Sequence, residues 1–395
     1  MSETQPVKPL VPAIRFKGFT DAWEQRKLKN VLKVNSGRDY KNLKPGNIPV
    51  YGTGGFMLNV NGQLSSDDAI GIGRKGTIDR PQFLKAPFWT VDTLFFMTSE
   101  GNNSLRFLYA WCQLVQWKRY DESTGVPSLS KSTLNKITLK VPSLSEQNSA
   151  GEFFNILDNL IASNQRRGEI LKELKKALLQ KMFVSGKKTV PDIRFSGYTD
   201  AWEQRKLADL ATIDARIGWQ NLRTSEFLSS GNYMLITGTD FRDGAINYAG
   251  VHYVQKERYD QDEKIQIKNG SILITKDGTL GKVAYVKDLL KPATLNAGVF
   301  NVEVKDRFKT NNKYLFHYLK APFLLNFASK QSTGGTIKHL NKNVLVKFLV
   351  PLPIIQEQER IGVFLSALEN LIASNQRKGE ILKSLKKVLL QKMFV

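Results

Sequence analysis

Few stretches of this sequence offer side chains or turns equipped for catalysis or cofactor binding. Gly71, Gly73 and Gly76 in GIGRKG match the G-x-G-x-x-G spacing that lets a backbone approach a dinucleotide pyrophosphate. That chemistry also needs a strand before the turn, a helix opening on it and an acidic residue about 20 positions on. Here TIDRP follows, and Pro81 stands where a long helix would run. The matching place further along, KDGTLG from Lys276, lacks the pattern, and DGTLGKV is too short between glycines for a phosphate-binding loop. Both read as glycine turns flanked by cations: Arg74 and Lys75 in one, Lys276 and Lys282 in the other. His252, His317, His339 and the lone Cys112 do not make a zinc set of the usual Cys/His kinds. His317 lies in an apolar helical stretch and reads as structural, whereas His339 lies in a basic loop and reads as a contact. Cys112, within FLYAWCQLVQW, reads as a buried thiol, and a single cysteine fits a reducing compartment. No nucleophile elbow, HExxH, paired carboxylates or Asn/Asp-Pro-Pro-aromatic tetrapeptide is found. The expectation is no catalytic residue and no metal site.

Charge is what remains. With 58 Lys+Arg against 36 Asp+Glu, the chain carries +22, a surplus that points to a polyanionic partner, most simply nucleic acid. A generally basic cytoplasmic protein is the competing reading. No apolar run reaches the roughly 18 residues that span a bilayer, and no lipidation motif is present, so a cytoplasmic location without a membrane partner is expected. Residues 1–11 read as a flexible tail.

The elements that position these turns come in duplicate. PAIRFKGFTDAWEQRKL at 12–28 returns as PDIRFSGYTDAWEQRKL at 191–207, an offset of 191 − 12 = 179. LDNLIASNQRRGEILKELKKALLQKMFV at 157–184 returns at 368–395 with four changes, an offset of 368 − 157 = 211. The second repeat therefore holds 211 − 179 = 32 more residues between its fixed ends. Each tail has helical apolar spacing and good helix formers. As heptads, Leu157, Asn164, Leu171 and Leu178 share one seam position, with Leu160 and Leu174 at the partner position. Leu368, Asn375, Leu382 and Leu389, with Leu371 and Leu385, repeat that seam. Near-identical seams are self-complementary, so the two helices are expected to pair; covering each its own domain is the alternative. Twenty-eight residues at 1.5 Å each make a rod of roughly 42 Å. Gly168 interrupts the helix pattern without a reason visible in the sequence. Between head and tail, β-branched and aromatic runs such as TVDTLFFMT and GSILITKDGTLGKVAYV read as strands, and RFLYAWCQLVQW and KYLFHYLKAPFLLNFA as helices. Both middles end in polar loops, STGVPSLSKSTLNK from Ser123 and STGGTIKHLNKN from Ser332.

This two-repeat plan, with YGTGG, IGRKGT…APFWTVDTLFF, the STG loops, the P…EQ…G..F pattern and the repeated LLQKMFV helix, resembles type I restriction–modification DNA specificity (S) subunits. The resemblance covers nearly the whole chain after Pro12. It implies an α/β (α+β) fold class: two globular α/β target-recognition domains separated by two long helices in an antiparallel coiled coil, a pseudo-twofold tandem repeat. The corresponding boundaries are 12–145 and 193–353 for the domains, 146–184 and 354–395 for the helices, and 185–192 for a linker. It further implies a non-catalytic subunit whose domains each read half of a bipartite double-stranded DNA target. Two modification (methyltransferase) subunits and two ATP-dependent restriction subunits would complete the assembly. S-adenosylmethionine, ATP and Mg would belong to those partners, with no cofactor on this chain.

Base reading needs Arg, Gln or Asn at groove edges, with Lys positioned on phosphates. In the first repeat the candidates are Arg38, Tyr40 and Lys41 after an SG turn, Arg74, Lys75 and Arg80 around the glycine turn, and Lys131 in the late loop. In the second they are Arg216, Trp219, Gln220 and Arg223 in ARIGWQNLR, Lys276 and Lys282 at the glycine turn, and Lys338, His339 and Asn341 in the late loop. For each, a solvated surface charge is the competing reading, and Trp219 could equally be core. The repeated DAWEQRKL reads as structural through Trp23 and Trp202, with Arg26 and Arg205 free to face a partner. A self-sufficient DNA-modifying enzyme and a coiled-coil adaptor remain as alternative functions.

Overall fold

A computed structural model of the chain describes residues 11–184, 188–277, 280–331 and 339–395. Residues 1–10 of the expected tail and 185–187 of the expected linker lie outside them. The chain divides into two compact units, and they are not the two sequence repeats. Unit 1 comprises Met1–Arg167 with Asn375–Val395, and unit 2 is Gly168–Ser374. The first long helix, Leu144–Lys181, thus starts in unit 1 and its residues from Gly168 onward count with unit 2; the second, Ile355–Met393, does the reverse. Both begin within two residues of the expected starts, 146 and 354.

The exchange follows from packing. In unit 1, Phe394 stacks on Phe107 with ring centroids 5.0 Å apart and meets Trp23 edge-on at 5.9 Å. In unit 2, the equivalent Phe183 packs edge-on against Tyr314 and Tyr318, at 5.5 and 5.3 Å. Each core is therefore completed by the tail of the other repeat.

Within each unit the helices run antiparallel. In unit 1, Asn164 Nδ2 donates to Asn375 O and Asn375 Nδ2 to Asn164 O, both at 2.9 Å, and Lys386 pairs with Asp158. In unit 2, Lys175 pairs with Glu369, the same contact shifted by one repeat. Leu157, Asn164, Leu171 and Leu178 lie on this seam, buried or half-buried, as do Leu368, Asn375, Leu382 and Leu389. Leu160, Leu174, Leu371 and Leu385 do not: they are 42–48% exposed. The seam instead takes Ile161, Gly168, Lys175 and Met182, and Ile372, Gly379, Lys386 and Met393, four residues on from each leucine or asparagine. A 4-3 step satisfies helical periodicity as well as a 3-4 step, and it places Gly168 and Gly379 beside the asparagines where a 3-4 step would place Arg167 and Lys378. A Cβ on Gly379 would sit 2.9 Å from Asn164 Nδ2, so glycine leaves room for the amide to reach its carbonyl.

The middles share one frame. Unit 1 has an antiparallel sheet ordered Leu32–Ser36, Leu94–Ser99, Ala69–Gly73, Gln82–Leu84. Unit 2 repeats it as Ala211–Ala215, Val299–Val304, Ile272–Thr275, Val283–Tyr285. A second sheet in each centres on a parallel pair, Pro45–Gly52 with Trp89–Thr90 and Tyr233–Ile236 with Ala293–Leu295. The head strands Glu24–Lys27 and Glu203–Lys206 pair with Thr138–Val141 and Leu349–Leu352, just before the long helices.

The heads are fastened by buried charge. Arg15 donates from Nε and Nη2 to the two oxygens of Glu146, both at 2.7 Å, and Arg194 does the same to Glu357 at 2.8 Å. Trp23 and Trp202 are buried beside these pairs, as expected, while half-buried Arg26 and exposed Arg205 are held by Glu24 and Glu203. Cys112 is buried, and burial pushes its thiol pKa up.

Unit 2 also buries His317, whose Nε2 lies 3.0 Å from Ser366 Oγ. Burial lowers the imidazole pKa to about 4, overriding the pull of Glu369. The folded state thus holds a neutral ring that the unfolded chain would protonate near 6.5. This contribution is complete above about pH 6.5 and is lost as pH falls towards about 4, for roughly 3 kcal/mol. Denaturant titrations at stepped pH should show that loss, and His317→Gln should flatten it.

Candidate nucleic-acid interface

The candidate turns emerge at one end of each sheet. In unit 1, Ser36 lies opposite Phe95 and Gly73 opposite Leu94, so the loops carrying Arg38 and Arg74 leave side by side. Arg38 N donates to Thr90 O at 2.9 Å and Arg74 N to Thr93 O at 2.8 Å, so one short segment anchors both. The late loop closes over the glycine turn: Gly76 N donates to Pro127 O at 2.8 Å and Leu129 N to Arg74 O at 2.9 Å. Lys131 follows directly, opening the short helix Lys131–Lys136. Arg38, Lys41, Arg74, Lys75, Arg80 and Lys131 are all at least partly exposed, while Tyr40 is half-buried against the second sheet's core.

The glycine pattern in GIGRKG has a steric cause. Gly71 and Gly73 lie in the strand Ala69–Gly73, and a Cβ on Gly73 would stand 2.1 Å from Thr77 O. The next element is the strand Gln82–Leu84, so the segment is a hairpin and no helix opens on it.

Unit 2 builds the same end from different residues. Lys276 N donates to Gly298 O, and Leu340 N to Lys276 O, both at 2.9 Å, matching the contacts around Arg74. The Lys276 ammonium lies 5.7 Å from the Phe300 ring centroid, as the Arg74 guanidinium lies 5.8 Å from Phe95. His339 Nδ1 is 2.6 Å from Asp277 Oδ1, joining the late loop to the glycine turn. Lys282, Asn341 and Arg223 are exposed; Asn341 also stands at the start of the helix Lys342–Leu345. Lys338 and the Trp219 side chain lie outside the described residues.

Two expected readers are not at the surface. Arg216 is 2% exposed, donating from Nε to Leu295 O at 2.9 Å and from Nη2 to Thr294 Oγ1 at 3.2 Å. Burial first, then the nearby Arg258 charge, lowers its pKa, and its hydrogen bonds tie the 217–226 loop to the second sheet. Gln220 is 4% exposed within that loop. Neither side chain can reach a base edge without unfolding the loop. Conversely, Phe56 and Met57, in the strand Gly55–Val60 that follows the YGTGG turn, are 60% and 47% exposed.

Among the described residues no cluster of three or more His, Cys, Asp or Glu is placed to hold a metal, and no helix is long and apolar enough to cross a membrane.

A family model, the type I restriction modification DNA specificity domain, matches residues 20–175 and 199–384, one match in each repeat. The chain belongs to this family. The specificity-domain matches take in both candidate sheet ends and most of both helices. Curated relatives include the MjaVIII specificity subunit of Methanocaldococcus jannaschii, 25% identical over 281 residues, covering 69% of this chain and 65% of that one. Another is a putative type I restriction enzyme specificity subunit of Haemophilus influenzae, 25% identical over 337 residues, covering 83% and 82%. The chain thus spans just under two thirds of the length of the first relative. Among solved structures, the S subunit of a type I restriction–modification system from M. genitalium aligns with a TM-score of 0.70 at 14% identity, covering 98% of this chain and 99% of that one. That likeness shows the same fold.

Proposed function

We propose that this specificity-domain protein is the non-catalytic DNA-reading subunit of a type I restriction–modification complex, each unit reading one half of a bipartite duplex. The observation that carries the reading is the pair of equivalent sheet ends. The frame beneath them is held constant, while the groups on it differ: exposed Arg38, Arg74 and Lys75 in one unit, exposed Lys282 and His339 with half-buried Lys276 in the other. Keeping a frame while varying its polar side chains is what reading two unlike sequences requires. Arginine can take guanine edges, and the lysines suit phosphates. The modification subunits would supply S-adenosylmethionine chemistry and the restriction subunits ATP- and Mg-dependent cleavage, so this chain needs no cofactor of its own. Relatives named as specificity subunits and the +22 charge support the same reading.

Binding of the full chain to its host's genomic duplexes should fall steeply as salt rises. Arg74→Glu with Lys75→Glu should weaken it by at least about tenfold and reduce the salt slope by roughly one for each phosphate the variant no longer holds. A flat salt response, or methyl transfer by the pure chain with S-adenosylmethionine, contradicts the reading.

A further inference from the structure

The two units differ at the other end of the same sheet, where no reading loop lies. In unit 1 the connector from strand Leu94–Ser99 to helix Leu105–Cys112 is EGNNS, residues 100–104, with no cation and no aromatic ring. In unit 2 the equivalent connector, from Val299–Val304 to Asn312–Lys320, is KDRFKTN, residues 305–311. The equivalence is firm because one glutamine holds each. Gln147 Oε1 accepts from Ser104 N at 3.0 Å, and Gln358 Oε1 from Asn311 N at 2.9 Å.

The unit 2 connector presents its ring outward. Phe308 is 91% exposed, although apolar side chains of that size gain most from burial. Asp306 fixes the loop that carries it, accepting from Phe308 N at Oδ1 (2.9 Å) and from Thr310 N at its carbonyl (3.0 Å). Around Arg307 opens a cavity of about 470 Å³, lined by Asn269, Tyr285, Lys287, Asp288 and Asn312 among others. The neighbouring acids Glu303 and Asp306 are taken up by Lys268 and Lys309, which leaves Asp288 as the carboxylate in the lining, against the two cations Arg307 and Lys287. Among the described residues, Arg307 and Lys287 have no carboxylate within ion-pair distance. The adjoining helix start is capped by Asn311 Oδ1, which accepts from Lys313 N and Tyr314 N, so these two amides are not open to a ligand.

We infer that this end of unit 2 is a second nucleic-acid site, which takes a phosphodiester between Arg307 and Lys287 and stacks the adjoining unpaired base on Phe308. A planar ring held outward between cations is what sequence-tolerant single-strand binding uses, since every base has a face to stack. The site goes beyond the proposed function because it uses none of the reading loops, and unit 1 has no equivalent.

Fluorescence anisotropy of the full chain with a labelled oligo(dT) of about twelve nucleotides tests it. Phe308→Ala and Arg307→Glu should each weaken binding by about tenfold, and Arg74→Glu should leave it unchanged while weakening duplex binding. Thermal melts check that the variants fold, and Lys287→Glu gives a second route should Arg307→Glu lower the melting temperature. Equal oligo(dT) binding by wild type and variants, or none by the wild type, overturns the site. So does a glutamate-rich peptide whose binding the same variants abolish while oligo(dT) binding persists; the surface would then serve an acidic polypeptide.

Discussion

Arg194→Ala should destabilise unit 2 by about 3–5 kcal/mol, because it leaves Glu357 buried without a countercharge. The Glu357 side chain has no exposed surface and takes two hydrogen bonds from Arg194, whose own side chain is 12% exposed. Removing one partner of such a pair forfeits the attraction while the desolvation cost of the other remains. Arg194→Lys should recover only part of the stability, since one ammonium cannot reproduce the two-pronged contact. By contrast, Arg205→Ala breaks an exposed pair with Glu203 and should change stability by less than about 1 kcal/mol. Chemical denaturation followed by far-ultraviolet circular dichroism compares the three variants. Equal, small losses for Arg194→Ala and Arg205→Ala would show that the buried pair does not anchor the head.

A second large effect concerns the fragment 1–184. In the whole chain, Leu390, Met393 and Phe394 complete the core of unit 1, and Leu179, Met182 and Phe183 complete that of unit 2. The fragment lacks the first set but carries the second, in the same LLQKMFV sequence. Two copies can therefore close each other's cores by exchanging tails, and the seam of Asn164 and its neighbours is self-complementary. Analytical ultracentrifugation should find a dimer. Phe183→Ala should loosen it strongly, since each such truncation in a core costs about 3–5 kcal/mol and the dimer contains two. A well-folded monomer at high concentration would mean that the tail serves its own domain.

The same duplication sets the limit of what the sequence makes legible. The repeats, the long helices, the strand and helix runs and the pairing of the seams can all be read from spacing. Which core receives LLQKMFV cannot, because identical tails fit either core with identical local pattern. The seam illustrates a finer ambiguity. Leu160 and Leu174 satisfy a 3-4 step as well as Ile161 and Gly168 satisfy a 4-3 step, and the close approach of Gly379 to Asn164 accompanies the second. At the candidate sheet ends, glycine turns and flanking cations can be read as loops from the sequence. They do not separate exposed Arg38 from buried Arg216, because the Leu295 and Arg258 carbonyls and the Thr294 hydroxyl that hold Arg216 are distant in sequence. The Arg15–Glu146 and Arg194–Glu357 pairs do leave a trace, as an Arg in each head and a Glu in each helix start, but repetition alone does not say who meets whom.

If two unlike sets of loops on one shared frame read two halves of a target, the bound duplexes themselves should show it. Selection from a randomised library with the complete complex should return two short specified blocks separated by unspecified bases. Exchanging the unit 1 loops at residues 37–43 and 74–80 should rewrite one block and leave the other intact. A single uninterrupted motif, or one exchange altering both blocks together, would contradict the division of reading between the units.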